Sequence, residues 1–207
     1  MIDNKSFKLP TKSYISTETG KSQIILAHTF NHDMRHFNGW LHRNNGNYKK
    51  TASYTISKSG IIYEHFDPKY YSRFFKNYEQ NLKSVVILIE NDGWLIKDSE
   101  KNQFLTWIGD IYKEPTKVVE KRWRGFNYWS SYTDKQFESA IDLVKLLCDR
   151  FCIPLNAISH NTKVEGLNDY NGVLYKSNLE KHYTDLSPSW NSELFKTKLE
   201  ENETTHQ

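Results

Sequence analysis

The chain has 207 residues, 37% of them hydrophobic and 26% charged, enough for one sizeable core and marginal for two. The net charge of +3 is too mild and dispersed to argue for nucleic acid, and no apolar run approaches the roughly 18 residues a membrane span needs. The two cysteines, Cys148 and Cys152, form no Cys-x-x-Cys pair and imply no disulfide framework.

Residues 1–20 are polar and read as an irregular lead-in. MIDNKSFKLPTKSY has no hydrophobic signal core, so cytoplasmic synthesis without a signal peptide is expected. SQIILAH is a short apolar run, read as a buried strand that ends at His28. In HDMRHFNGWLHRNN, the spacing of Met34, Phe37, Trp40 and Leu41 predicts a helix, closed by the Gly- and Asn-rich NNGNYKK. TASYTISKSGIIYEHF reads as a hairpin with its turn at Gly60. SVVILIEN is the most apolar run and should be the central strand.

Short strands are expected in GWLIKD, NQFLTWIG and VVEKRW. TDKQFESAIDLVKLLCDRFCI is the clearest helix. Phe137, Ile141, Val144, Leu147 and Phe151 form its stripe, Thr133 and Gln136 make a capping box, and Pro154 stops it. NAISHN is a short strand or loop that ends at His160, LYKSNLEKHYTDLSPSWN an extended, turn-rich segment, and SELFKTKLEEN a closing helix. Strands alternating with helices give the α/β class: a single domain with a central mixed sheet flanked by helices. The expected organisation is a lead-in at 1–20, a catalytic domain at 21–197 and a polar tail at 198–207.

Half of the eight histidines, His28, His32, His36 and His42, lie in one short stretch. A metal hydrolase needs three protein ligands with an open position, and a carboxylate beside the metal-bound water. Strand ends hold such ligands rigidly. His28 ends a strand, His160 ends an apolar stretch after the long helix, and Asp185 sits in a turn with Pro188. Glu90 stands at the mouth of the most apolar strand, where partial desolvation suits a general base. Taken singly, each has a plain structural alternative: a strand-end side chain that reaches water. The two cysteines, four apart beside a core stripe, are read as structural.

Five segments in order, IILAHTF, ASYTISKSGIIYEHFD, KSVVILIEN, YTDKQFESAIDLVKLLCDRFCIP with ISHN, and TDLSPSW, resemble the zinc-dependent N-acetylmuramoyl-L-alanine amidase family. This is the amidase-2 type, shared by phage lysozyme-like amidases and peptidoglycan recognition proteins. The similarity covers residues 22–195. It implies an amidase-2/peptidoglycan-recognition-like fold, with Zn²⁺ held by His28, His160 and Asp185 and Glu90 as general base. The implied reaction cuts the amide between N-acetylmuramic acid and L-alanine in bacterial peptidoglycan.

Three positions depart from the family pattern. Where many members carry an oxyanion-stabilising Lys two residues before the Asp, this chain has Tyr183; Tyr183 or the neighbouring His182 takes that role, or it is empty. A His ahead of the hairpin aromatic is replaced by Ser53, and RFFKN lacks a Trp-His pair. The segment between Asn91 and Tyr132 is long for the family and rich in rings, including Trp94, Trp107 and Trp123. It is expected as an extra hairpin and loop. Tyr128, Trp129 and Tyr132 are candidates for a substrate-binding cleft wall, along with His182; core packing is the alternative.

The implied partner is peptidoglycan, met by a monomer after release from the cell, as in phage lysis; no nucleic-acid or membrane partner is expected. The competing reading is a non-catalytic peptidoglycan-binding module of the same fold. A zincin-like site on HDMRH is the weakest: Asp33 is a methylene short of Glu and no third ligand follows at the required spacing.

Overall fold

In the computed structural model of the protein, residues 2–114 and 117–201 are described. A six-stranded sheet forms the centre, in the order β1-β4-β3-β5-β2-β10. Its strands are β1 (Ile2–Asp3), β2 (Gln23–His28), β3 (Tyr54–Ile56), β4 (Ile62–Glu64), β5 (Ser84–Ile89) and β10 (Gly172–Tyr175). β3 and β4 form the antiparallel hairpin, turning at Gly60 with φ +84°. The other pairings are parallel. Every residue of β2 and β5 is buried, which is why both read as continuous apolar runs rather than alternating ones.

Each face of the sheet is covered by helices. The helix α3 (Asp134–Phe151) lays Ala140, Leu143, Val144 and Leu147 on Ile24, Leu26, Ile87 and Ile89. Its capping box at Thr133 and Gln136 is formed, and it ends at Cys152 in the left-handed conformation. The buried stripe is displaced from the expected one: Phe137, Ile141 and Phe151 lie at its edge. The closing helix α5 (Ser192–Glu200) adds Phe195 and Leu199 to the same layer. On the opposite face, α1 (Arg35–His42) sets Phe37 and Trp40, with Met34 ahead of it, against Ile25, Ala27, Val86 and Leu88.

A second, antiparallel sheet has the order β7-β6-β9-β8. It comprises β6 (Trp94–Asp98), β7 (Gln103–Thr106), β8 (Val118–Trp123) and β9 (Phe126–Ser130). It is the long aromatic segment, and β9 was not expected there. Also unforeseen were β1, the helix α2 (Tyr78–Lys83) and, with most consequence, β10 followed by the helix α4 (Lys176–Leu179). Residues 174–191 were expected to be extended and turn-rich. Instead, Gly-Val-Leu-Tyr forms a fully buried strand parallel to β2. The expected polar tail lies outside the described residues from 202 onward.

Candidate functional site

At the C-terminal mouth of the central sheet, β2 delivers His28 and the loop after α4 delivers Asp185. His28 Nε2 lies 3.6 Å from Asp185 Oδ1, with both side chains buried. The other ring nitrogen, Nδ1, is hydrogen-bonded to the Tyr132 hydroxyl at 3.0 Å. His28 Nε2 and both Asp185 carboxylate oxygens lack a hydrogen-bond partner. Burial pushes His28 down to about 4; Asp185 opposes that shift and Lys176 adds to it, so the imidazole is neutral near pH 7.

Lys176 was not among the candidates. It follows directly on β10, and its Nζ lies 3.4 Å from Asp185 Oδ2. The ammonium packs over the rings of Tyr183 at 3.7 Å and Phe74 at 4.9 Å. The Ser177 N–H donates to the Asp185 carbonyl at 2.8 Å, which fastens the two segments together. The signal that could have found Lys176 is the one that found His28: a polar residue directly after an apolar strand.

His160 is not brought to this group. Val173 of β10 pairs with Ile24 on one side and bridges Ala157 on the other, so the segment leading to His160 lies one strand outside β10. Two strand spacings separate it from β2, about 10 Å. His160 is exposed, its Nδ1 hydrogen-bonded to Thr162, in a surface hollow shared with Asn161 and Trp190. The physical reason is the interposed strand: β10, rather than the segment directly after α3, pairs with β2.

Glu90 is also directed elsewhere. Glu90 Oε1 accepts from the Met34 N–H at 3.1 Å and Oε2 from the Lys58 N–H at 2.9 Å. It lines a hollow with Asp33, Met34 and Lys58 rather than the one at His28. Leu88, two residues earlier on β5, lines the hollow that contains His28.

The remaining candidates divide. Tyr132 reaches His28, as described. Tyr183 is half-buried against Lys176, and burial raises its hydroxyl above the ordinary value, which opposes ionisation. His182 is exposed. Tyr128 packs on Phe104, and Trp129 is fully buried against Trp123 and Phe126, its Nε1–H donating to the Lys121 carbonyl at 2.7 Å. Both belong to the packing of the second sheet rather than to a cleft wall.

His36 is half-buried. Its Nε2 meets Thr55 Oγ1 at 3.0 Å, and Thr55 Oγ1 meets His65 Nε2 at 2.8 Å. His65 Nδ1–H donates to the Phe7 carbonyl at 2.7 Å, so its Nε2 accepts the Thr55 proton and Thr55 accepts from His36. His32 instead pairs with Asp92 at 2.7 Å, and Asp92 with Lys58 at 3.3 Å.

A cleft of about 300 Å³ opens beside His28. Arg35, Arg43, Lys50 and Lys176 line it, with Trp40, Tyr48 and Trp107 among its rings and no carboxylate among its described lining residues. Trp107 is half-exposed, its Nε1–H donating to the Phe30 carbonyl at 2.7 Å.

Residues 18–171 match the sequence pattern of Amidase_2, N-acetylmuramoyl-L-alanine amidase. The chain belongs to this amidase family. No curated protein sequence matches it significantly. Among solved structures it is similar to the N-acetylmuramoyl-L-alanine amidase LysC from Clostridium intestinale URNW, with 13% identity, 96% of this chain and 97% of that chain covered, and a TM-score of 0.53. It is likewise similar to a mutant endolysin from Bacillus subtilis, with 15% identity, 96% and 98% coverage, and a TM-score of 0.54. At such identities these two report the amidase fold.

The zinc that the amidase resemblance implies can be tested against the residues present. His28 and Asp185, with their buried atoms lacking hydrogen-bond partners, suit two ligand positions. Among the described residues no group of three His, Cys, Asp or Glu side chains is placed to hold an ion. The third neighbour is the Lys176 ammonium, which has no lone pair to donate. The residues at this site do not fit a three-ligand zinc centre.

Proposed function

We propose that this amidase-family protein binds peptidoglycan in the cleft beside His28 without cutting it by the zinc route. One observation carries the reading: every charged side chain lining the cleft is a cation. Such a surface attracts the carboxylates of muropeptide stems, and its rings suit the apolar faces of sugars. The same described lining holds no carboxylate of the kind that takes the proton of a metal-bound water. Glu90, expected in that role, is engaged by two backbone amides in another hollow, and Leu88 faces the cleft in its stead.

A second reading, a zinc amidase that cuts between N-acetylmuramic acid and L-alanine in a phage or bacterial lytic role, is favoured by the unpartnered His28 Nε2 and Asp185 oxygens.

Incubation with insoluble peptidoglycan, with and without added zinc, separates the two. The binding reading expects the protein to pellet with the wall while no new L-alanine amines appear in solution. Failure to pellet overturns it. Amine release that a chelator abolishes establishes the amidase instead. No helix among the described residues is long and apolar enough to cross a membrane.

A further inference from the structure

We propose that Lys176 replaces both a metal ligand and the metal's charge, so that the pocket is built around its own ammonium. The inference deepens the binding reading and rests on it only in taking this pocket as the family's site.

Three observations converge. The first is register. β10 pairs with β2 from Gly172↔Gln23 to Tyr175↔Leu26, so the residue after Tyr175 emerges at the mouth of the sheet, on the strand next to the one that ends in His28. A ligand partner for His28 would stand at that strand end, and a lysine occupies it.

The second is charge. The Asp185 carboxylate is buried, 3.6 Å from His28 Nε2 on one side and 3.4 Å from Lys176 Nζ on the other. The Lys176 ammonium is the charge partner that stands beside this buried carboxylate, and a buried carboxylate needs one. A divalent ion would perform the same service, and the two exclude each other: an ammonium repels a metal cation and offers it no lone pair.

The third is that the ammonium is held. Tyr183 and Phe74 present ring faces to it, and the favourable interaction of a cation with ring faces adds to the ion pair. Arg124, from the turn between β8 and β9, donates to the carbonyls of Ser177 at 3.2 Å and Glu180 at 3.3 Å. The second sheet thereby braces the segment that carries Lys176. Tyr183, expected to stabilise an oxyanion, instead walls the lysine.

The test is zinc content after equilibrium dialysis of the full-length protein, read by elemental analysis with no wall present, so that its failure and a failure of wall binding are told apart. Wild type is compared with His28→Ala, Lys176→His and the Lys176→His, His28→Ala double variant. Wild type should hold no zinc that His28→Ala removes. Lys176→His should take up about one zinc per chain, lost in the double variant.

Zinc in wild type that disappears with His28→Ala overturns the proposal, as does a folded Lys176→His, checked by circular dichroism, that gains none. Should Lys176→His fail to fold, the wild-type and His28→Ala pair still decides. A Lys176→Met variant gives a second measure: a melting temperature equal to wild type would mean that the ammonium does not neutralise Asp185, which also overturns the proposal.

Discussion

The Tyr132 hydroxyl and His28 Nδ1 are hydrogen-bonded at 3.0 Å, joining the residue just ahead of α3's cap to the end of β2. Tyr132 also packs edge-on against Trp190, so the bond fixes the imidazole from a rigid wall. Tyr132→Phe keeps the ring and removes the hydroxyl. It leaves a buried ring nitrogen without its partner and should cost about 1–3 kcal/mol in urea unfolding. A midpoint shift of nothing beyond error would show that the bond contributes nothing to stability.

Glu90 makes a different claim. Its two oxygens receive the backbone amides of Met34 and Lys58, which ties the entry of α1 and the β3–β4 turn to the end of β5. Glu90→Gln turns one acceptor into a donor facing an N–H. We expect destabilisation of about 1–3 kcal/mol by chemical denaturation with unchanged pelleting on peptidoglycan. A variant of unaltered stability that loses wall binding would put Glu90 in the binding site after all.

The His36–Thr55–His65 chain sets a pH dependence. Burial pushes His36 down to about 3, with His65 adding to the shift, and pushes His65 down to about 4 against the bond to Phe7. Both folded-state values lie below the unfolded value near 6.5. The unfolded chain therefore binds more protons once the pH falls below about 6.5, and stability is lost from there down through about 4. The stabilisation is fully present above about 6.5, and its loss is on the order of a few kcal/mol. Unfolding free energies measured from pH 7.5 to 4 should fall, and His65→Gln should flatten the lower part of that slope.

The cationic cleft predicts salt-sensitive binding. Arg43, stacked over Tyr48, and Lys50 both line it. Reversing both, Arg43→Glu with Lys50→Glu, should weaken co-sedimentation with peptidoglycan about tenfold, ~1.4 kcal/mol. Wild-type binding should weaken as ionic strength rises. Retention of full binding at high salt by the double variant would remove electrostatics from the account.

The central sheet was legible because its strands are strongly patterned: QIILAH and SVVILI are unbroken apolar runs, and α3 has its cap written at Thr133 and Gln136. The site was legible in part. His28 and Asp185 were named because a strand end and a Pro-containing turn both hold polar residues rigidly, and the structure places their side chains 3.6 Å apart. His160 was named because it ends a short apolar stretch after α3 and because ISHN resembles the family's second zinc-ligand segment. The four-residue strand Gly172–Tyr175 is too short for its periodicity to stand out, yet it takes the place beside β2 and puts Lys176 there.

Glu90 was named from its place at the end of β5, but both of its oxygens are taken by the backbone amides of Met34 and Lys58, and nearness to a strand end does not say what a carboxylate will bind. Trp129 and Tyr128 failed because ring content alone does not separate a cleft wall from the packing of an added sheet.

A pocket that carries its own positive charge in a covalently attached side chain is complete when the chain has folded. It has no loading step, competes with no other protein for a trace element and has nothing for a chelator to strip. Its binding surface is therefore the same in metal-starved and metal-rich surroundings, and its charge is set when the chain is translated.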